Sequence, residues 1–178
     1  MPNSDLAAFV RTIPDYPKPG ILFRDVSTLM LDGDAFRTTI DRLAEGVADQ
    51  RFDLIAGIEA RGFVFASALA YKLGLGKVML RKRGKLPGAC VGVDYDLEYG
   101  TDRIEMHEDA CGEGRHVLLV DDLLATGGTA LAAVRLLRGR GAEVSTAAFV
   151  IDLPDLGGGE RLAAEGITPR ALVAFAGH

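Results

Sequence analysis

The apolar residues of this chain form short, nearly uncharged runs that are separated by segments with helical spacing. The runs cover 54–58, 77–80 and 117–120, and 144–151 reads as the next strand. Short runs of consecutive apolar residues are typical of strands that are covered on both faces. A further run at 170–175 predicts a final strand.

Helical spacing predicts one helix before the first of these strands and others between them. In the first, apolar residues recur every three or four positions, at Phe36, Ile40, Leu43 and Val47. Asp34 stands where the N-cap of this helix is expected. A second helix is predicted over 63–73 and is closed by Gly74, and a third is predicted over 129–137.

The alternation of strands and helices predicts an α/β fold in which helices flank a mainly parallel sheet. No internal repeat, low-complexity tract or long linker divides the sequence, so we expect 1–178 to form one domain. Near its end, Gly157, Gly158 and Gly159 predict a flexible turn.

Two segments do not follow the alternation. The first, 1–33, is predicted to be an N-terminal arm with a short helix, followed by irregular backbone over 13–20, where three prolines remove donors and fix φ. The second, about 81–114, is rich in charge and glycine. Loops of this length in a compact domain are usually functional, so we expect a β-hairpin or a long flexible lid there.

Composition and charge narrow the classes of function. Hydrophobic residues make up 48% and charged residues 25% of the chain, as in an ordinary soluble globular protein. The net charge of −5 argues against a general affinity for nucleic acid or for membranes. No secretory signal or membrane-spanning run is visible, so we expect a cytoplasmic protein. The two cysteines and three histidines lack the spacing of a disulfide framework or a zinc site.

The segment 117–129 carries the strongest chemical signal. A buried strand delivers Asp121 and Asp122, and a glycine-rich turn then presents backbone N–H groups and threonine hydroxyls at the start of a helix. Such a turn can bind a phosphate, because the free N–H groups and the helix dipole favour an anion. Two carboxylates beside a phosphate indicate a ligand that also brings hydroxyls or a cation, such as a sugar phosphate with Mg²⁺. The alternative is an ordinary turn with solvated acids.

The same segment resembles the motif of type I phosphoribosyltransferases that binds 5-phosphoribosyl-1-pyrophosphate (PRPP). The resemblance implies the fold of that family, and it implies that Asp121 and Asp122 hold the ribose hydroxyls near a Mg²⁺ ion. It further implies that the 5′-phosphate is bound by the turn residues Ala125, Thr126, Gly127, Gly128 and Thr129.

Further segments resemble the adenine-specific members of that family. Enzymes for 6-oxopurines carry an aspartate at the position of Ala125, so an acid for the base must come from elsewhere in this chain. The segment around Glu98 resembles the lid of the adenine-specific enzymes, which implies that Glu98 is the catalytic acid. Taken alone, the pattern at Glu98 also fits an exposed glutamate on a hairpin.

Cations at two strand ends resemble the pyrophosphate ligands of the family. After the second strand these are Arg81, Lys82 and Lys85, which alone would also fit a solvated basic patch. After the first strand, Arg61 takes the same implied role. The alternative for Arg61 is an ion pair with Glu59. The resemblance also suggests the hypothesis of a cis peptide between Glu59 and Ala60.

The segment 17–25 resembles the N-terminal hood that covers adenine in these enzymes. The resemblance implies that Phe23 and Arg24 stack on the faces of the base. The backbone of Leu22 would then read its N1 and exocyclic amine. The alternative is that Leu22 and Phe23 are core residues.

Together, these resemblances imply an enzyme that converts adenine and PRPP to AMP and pyrophosphate with Mg²⁺, and that forms a homodimer. Two alternatives remain: a phosphoribosyltransferase for another base, and a PRPP-sensing regulator without catalysis. Ala125, the hood and the Glu98 segment argue against the first. The acidic charge and the lack of spare length for a DNA-binding domain argue against the second.

Overall fold

The elements of the fold follow the predicted alternation of strands and helices. A computed structural model of the chain describes residues 3–96 and 100–177. The strands are β1 (Arg11–Pro14), β2 (Leu22–Asp25), β3 (Leu54–Ile58), β4 (Gly76–Lys82), β5 (Cys90–Asp96), β6 (Thr101–His107), β7 (Val117–Leu124), β8 (Thr146–Asp152) and β9 (Thr168–Ala174). The helices are α1 (Ser4–Ala7), α2 (Ser27–Leu31), α3 (Gly33–Gly46), α4 (Gly62–Leu73), α5 (Gly128–Arg138) and α6 (Gly158–Ala164), with a 3-10 turn at Pro154–Leu156. None of the helices in these residues has the length and apolar character needed to cross a membrane.

A central sheet of seven strands runs through the described residues in the order β5-β6-β4-β3-β7-β8-β9. Strand β3 is parallel to β4 and β7, and β8 is parallel to β7 and β9. Strand β6 is antiparallel to β4 and β5. The predicted mainly parallel sheet is therefore confirmed, and the β5–β6 pair confirms a hairpin within 81–114.

Helices cover both faces of this sheet. Leu119 of β7 packs in one hydrophobic core with Leu131 of α5. Leu118, its neighbour in the chain, lies in a second core with Phe65 of α4 and Leu43 of α3. Successive residues of a strand point to opposite faces, so α5 lies on one side of the sheet and α3 and α4 lie on the other. The predicted flanking helices are confirmed.

The N-cap of α3 is Asp32, and the prediction of Asp34 is wrong. The Asp32 side chain accepts hydrogen bonds from the N–H groups of Asp34 and Ala35, at 3.1 and 2.8 Å. Asp34 already lies in the first helical turn, where its carboxylate pairs with Arg37. Both aspartates are compatible with a cap by residue type, and only the extended backbone of Asp32 places its side chain correctly.

The N-terminal arm is more regular than predicted. Ile13 and Pro14 end β1, which pairs with β2 in a two-stranded antiparallel ribbon, so the prediction of irregular backbone is wrong for these two residues. Proline is tolerated there because the end of an edge strand need not donate to a ladder. Helix α2 was not indicated by apolar spacing, although its Leu29 is fully buried.

The predicted flexible turn at three consecutive glycines is only partly correct. Gly157 has a φ of 72°, in the left-handed region that suits a glycine turn. Gly158 and Gly159 instead begin α6. Gly158 is buried, which a sequence of three glycines does not indicate.

Candidate functional site

Those predicted site residues that the structure describes lie around the ends of the parallel strands and in the hood, and strand ends of this kind are where α/β folds usually bind ligands. A cavity of about 740 Å³ lies there and is called the large cavity below. Its wall brings together the hood and the 125–129 loop, which are far apart in the chain. The lining residues are Ile21, Leu22, Phe23, Arg24, Arg61, Asp96, Leu123, Ala125, Thr126, Gly128, Thr129, Leu153, Leu156 and Arg161.

The 125–129 loop connects β7 to α5. Strand β7 includes Asp121 and Asp122, so both acids lie within the strand. Gly127 has a φ of 78°, a left-handed conformation that favours glycine, and α5 begins at the next residue. The first N–H groups of a helix have no partner within it, so this loop offers donors to an anion. Gly127 lines a recess of about 110 Å³ formed by the same loop. The other predicted loop ligands line the large cavity: Ala125, Thr126, Gly128 and Thr129.

Asp121 and Asp122 are in different environments because neighbouring residues of a strand face opposite sides. Asp122 is only 5% exposed, and its Oδ2 accepts a hydrogen bond from Arg61 Nε at 2.5 Å. Asp121 lies against Gly62, where an added Cβ would come within 2.5 Å of the Asp121 Oδ1. Burial, and next the charge of Asp122, raise the pKa of Asp121 well above its ordinary value. The pair therefore favours a ligand that supplies donors or positive charge.

Arg61 links the end of β3 to the hood. Its guanidinium pairs with Asp122 and lies 5.3 Å from the centre of the Phe23 ring. Burial acts against the charged form, but the carboxylates of Asp122, Asp121 and Asp25 together outweigh it, and the pKa of Arg61 is raised. Because the partner of Arg61 is Asp122, the alternative of an ion pair with Glu59 is wrong.

Glu59 instead ties the turn after β3 to the end of β4. Its carboxylate accepts hydrogen bonds from the Arg81 guanidinium at 3.0 and 3.3 Å, and from the Lys82 backbone N–H at 2.9 Å. The bonds from Arg81, more than the one from Lys82, lower the pKa of Glu59. The peptide between Glu59 and Ala60 is cis, as hypothesised.

The Lys82 ammonium is held by the hairpin. Its Nζ lies 2.5 Å from both the Tyr95 hydroxyl and the Asp102 Oδ2. Burial opposes its charge, but these two partners outweigh burial and raise the pKa of Lys82. Lys85 is exposed. In the part of the chain that the structure describes, Arg81, Lys82 and Lys85 lie outside the wall of the large cavity, around the end of β4.

The predicted base-binding residues Leu22, Phe23 and Arg24 all line the large cavity. The Phe23 ring meets the edge of the Tyr16 ring at a centroid distance of 5.1 Å. The Arg24 guanidinium lies 4.5 Å from the centre of the Phe175 ring. Leu22 is 37% exposed, so it is not an ordinary core residue. The hood therefore contributes an aromatic, an aliphatic and a cationic residue to the cavity wall.

Asp25 ties the hood to β1 and to the start of α2. Its carboxylate accepts a hydrogen bond from the Ser27 N–H at 2.9 Å and one from the Arg11 guanidinium at 2.5 Å. Hydrogen bonding to Ser27, and next to Arg11, lowers the pKa of Asp25 from 3.8 to about 2. A carboxyl whose pKa is lower in the folded state stabilises the fold above its unfolded pKa, and this contribution is lost as the pH falls towards about 2.

We expect Asp25→Asn to lower the free energy of unfolding by about 2 kcal/mol at neutral pH. The loss should shrink to less than half by about pH 2.5, because the wild-type carboxyl is by then largely protonated in the unfolded chain but still mostly ionised in the folded one. Urea unfolding of both proteins at the two pH values measures the difference. An equal loss at both values would show that the carboxylate charge is not what stabilises the hood.

Several residues of the cavity wall have no role predicted from the sequence. These are Ile21, Asp96, Leu123, Leu153, Leu156 and Arg161. Leu123 has a visible signal, because it follows the acid pair inside the motif. No signal in the sequence marks Arg161, because α6 shows no motif. The Arg161 Nη1 nevertheless donates a hydrogen bond of 2.8 Å to the carbonyl oxygen of Thr126.

The predicted catalytic acid, Glu98, lies outside the described residues. The last residue described before it, Asp96, lines the large cavity. The role of Glu98 therefore stays a prediction.

The described residues can bind a ligand with chemically distinct ends. The 125–129 loop suits a phosphate, the acid pair suits hydroxyls or a cation, and the hood suits a flat apolar ring. Cations around the end of β4 suit a second anionic group.

The chain is similar to known proteins over nearly its whole length. A family model for the phosphoribosyl transferase domain matches residues 29–161. The curated adenine phosphoribosyltransferase of Sphingopyxis alaskensis is 58% identical over 99% of this chain and 96% of its own length. The solved adenine phosphoribosyltransferase of Thermoanaerobacter pseudethanolicus is 44% identical, with a TM-score of 0.92 over 96% of this chain and 98% of that one. The Saccharomyces cerevisiae adenine phosphoribosyltransferase, complexed with adenine and an imino-altritol bisphosphate, is 36% identical, with a TM-score of 0.89 over 96% and 98% of the two chains.

Proposed function

This chain belongs to the adenine phosphoribosyltransferases of the phosphoribosyltransferase family, and we propose that it converts adenine and PRPP to AMP and pyrophosphate. The reaction is a glycosyl transfer of purine salvage. The observation that carries the proposal is that the hood and the 125–129 loop line the same cavity. A base held by the hood and a phosphate held by the loop would lie on either side of a ribose.

In this proposal the 5′-phosphate of PRPP binds the 125–129 loop, which is called the phosphate loop from here on. Its ligands are the backbone and hydroxyl donors of Ala125, Thr126, Gly127, Gly128 and Thr129. Each charge-assisted hydrogen bond contributes about 1.5–3 kcal/mol, so several of them together can anchor the phosphate. Asp121 and Asp122 accept hydrogen bonds from the ribose hydroxyls.

The pyrophosphate group binds the cations at the ends of β3 and β4, which are Arg61, Arg81, Lys82 and Lys85. Glu59 and Asp102 hold two of these cations in the described residues, at 3.0 Å from Arg81 and 2.5 Å from Lys82. These carboxylates keep the side chains extended and charged, so the cations are ready to share their remaining donors with an anion. Their positive charge stabilises the negative charge that develops as pyrophosphate leaves.

Adenine binds under the hood. Phe23 and Arg24 contact the faces of the ring, and the backbone N–H and C=O of Leu22 read its N1 and exocyclic amine. This arrangement recognises adenine without a carboxylate. It is supported by the position of all three residues in the wall of the large cavity.

The chemistry transfers the ribosyl group from oxygen to nitrogen. Adenine N9 attacks C1 of the ribose, the bond between C1 and the pyrophosphate oxygen breaks, and N9 loses its proton. Positive charge on the sugar and negative charge on the leaving group develop together, so the site must stabilise both and exclude water. Glu98 protonates or hydrogen-bonds N7, which eases loss of the N9 proton.

We propose that Mg²⁺ is the cofactor, bound near Asp121 and Asp122. Mg²⁺ in such sites usually takes one or two carboxylates together with oxygens of the substrate, and this acid pair fits that pattern. In the described residues, no group of three or more acidic, histidine or cysteine side chains converges on one point. The remaining ligands would come from PRPP and water, and the ion would offset the charge of the PRPP oxygens.

We further propose that the enzyme acts as a cytoplasmic homodimer, without a nucleic acid or membrane partner. The dimer rests on the resemblance to the family. The net charge of −5 supports the lack of a nucleic acid or membrane partner, because a surface with that balance repels polyanions.

Release of pyrophosphate from PRPP in the presence of adenine, hypoxanthine, guanine, xanthine or orotate tests the proposal directly. Each nucleotide product is identified by mass, with and without Mg²⁺. We expect turnover with adenine alone, and we expect it to be lost when EDTA removes the metal. Turnover only with another base would overturn the roles of Ala125 and the hood. PRPP binding without turnover on any base would indicate a sensor.

A further inference from the structure

Helix α6 lies directly against the phosphate loop, backbone to backbone. A Cβ added to Gly158 would lie 2.1 Å from the carbonyl oxygen of Ala125 and 3.0 Å from the nitrogen of Gly127. A Cβ added to Gly127 would lie 3.2 Å from the Cα of Gly158. Because neither glycine leaves room for a side chain without a shift, α6 and the loop pack as one unit.

Arg161 adds a polar link one turn further along α6. Its Nη1 donates a hydrogen bond of 2.8 Å to the carbonyl oxygen of Thr126, an exposed residue of the loop. The same side chain lines the large cavity and a groove of about 230 Å³ beside the hairpin. Among the described residues, no carboxylate pairs with its guanidinium.

The other arginines of the large cavity have different partners. Arg61 pairs with Asp122, and Arg24 lies over the ring of Phe175. Within the described ranges, Arg161 is the arginine of the cavity that bonds to the phosphate loop.

The bond to Thr126 sets the direction of one peptide unit. The C=O and N–H of a trans peptide point in opposite directions, so a Thr126 carbonyl held towards Arg161 turns the Gly127 N–H away from Arg161. A loop that binds phosphate through its N–H groups gains affinity when their directions are set before the ligand arrives.

We propose that Arg161 is a positioning residue for the phosphate loop and acts through the Thr126 carbonyl. The inference rests on the proposed function, which makes this loop the site of the PRPP 5′-phosphate. Arg161 thereby sets the affinity for the 5′-phosphate end of a ligand. It leaves the affinity for pyrophosphate unchanged, because the proposed pyrophosphate ligands lie at the ends of β3 and β4.

Two substitutions separate the donor from the bulk of the side chain. Arg161→Met removes the donors and keeps the length, whereas Arg161→Lys keeps one charged donor. The matched control is Arg135→Met, which changes an arginine of α5 that pairs with Glu165 instead of the loop. Calorimetry gives the Kd of ribose 5-phosphate and of pyrophosphate, and steady-state assays give kcat and the KM for PRPP and adenine.

We expect Arg161→Met to raise the Kd of ribose 5-phosphate and the KM for PRPP on the order of 10-fold. The Kd of pyrophosphate and the kcat should stay within about threefold of wild type. Arg161→Lys should recover part of the affinity for ribose 5-phosphate, and Arg135→Met should change none of these constants.

Unchanged constants for ribose 5-phosphate and PRPP in Arg161→Met would overturn the inference. An equal rise in the Kd of ribose 5-phosphate and the Kd of pyrophosphate, with a lower Tm, would also overturn it. That result would indicate a general structural role for Arg161. Failure of the proposed function is a separate result, since it shows in the wild-type enzyme as no turnover with adenine. Ribose 5-phosphate binding needs no turnover and remains measurable in that case.

Discussion

Glu98→Gln is expected to lower kcat by roughly 10²- to 10⁴-fold, the usual contribution of general acid–base catalysis. Glutamine keeps the size of the side chain but cannot give a proton to N7 of adenine. The Kd of PRPP should stay within about threefold of wild type, because the proposed PRPP ligands are the phosphate loop, the acid pair and the strand-end cations. The loss should therefore appear in turnover and not in PRPP binding.

Steady-state kinetics at saturating adenine and PRPP, together with PRPP binding by calorimetry, measure this separation. Glu108→Gln is a suitable control, because it changes an exposed glutamate just after β6. A Glu98→Gln enzyme with kcat within about twofold of wild type would remove Glu98 from the role of the acid.

Gly158→Ala is expected to lower kcat/KM for PRPP on the order of 10²-fold. The new Cβ would lie 2.1 Å from the Ala125 carbonyl oxygen and 2.9 Å from the Leu124 Cδ1. The first contact is with backbone, so the phosphate loop or α6 must move by about 1 Å, and a misplacement of that size can cost about 10²-fold in rate. The substitution thus tests whether docking of α6 holds the phosphate loop in its active position.

Gly159→Ala is the matched control for this substitution. It lies next to Gly158 in α6, but the nearest atom to its added Cβ is the Pro169 Cγ at 3.9 Å, an ordinary contact. Alanine is also the better helix former, so Gly159→Ala should keep its activity and its Tm. Equal activity of the two variants in PRPP titrations would show that α6 does not hold the loop.

The strands could be predicted because a strand that is buried on both faces has apolar residues at consecutive positions. Strand β3 covers Leu54–Ile58, the same range as the apolar run. The N-cap residue of α3 could not be predicted in this way, because Asp32 and Asp34 are both suitable residue types. Their backbone conformations, which depend on the preceding helix α2, decided between them.

The loop ligands could be predicted because they are consecutive in the chain. Partners from different elements could not be predicted in the same way. The sequence places Arg61 near Glu59, but the structure pairs Arg61 with Asp122, because β3 lies beside β7 in the sheet. Arg161 could not be assigned for a similar reason, since it reaches Thr126 through the packing of α6.

By itself, the sequence determined the alternation of strands and helices, the mainly parallel sheet and the motif for a sugar phosphate, because all of these depend on residues close together in the chain. Only the tertiary structure decided which distant segments share the large cavity. The hood, the phosphate loop and Arg161 meet there because the strand order β3-β7-β8-β9 and the packing of α6 bring their elements to one edge of the sheet. Contacts of this kind depend on the whole arrangement of strands and helices, which no local pattern of residues records.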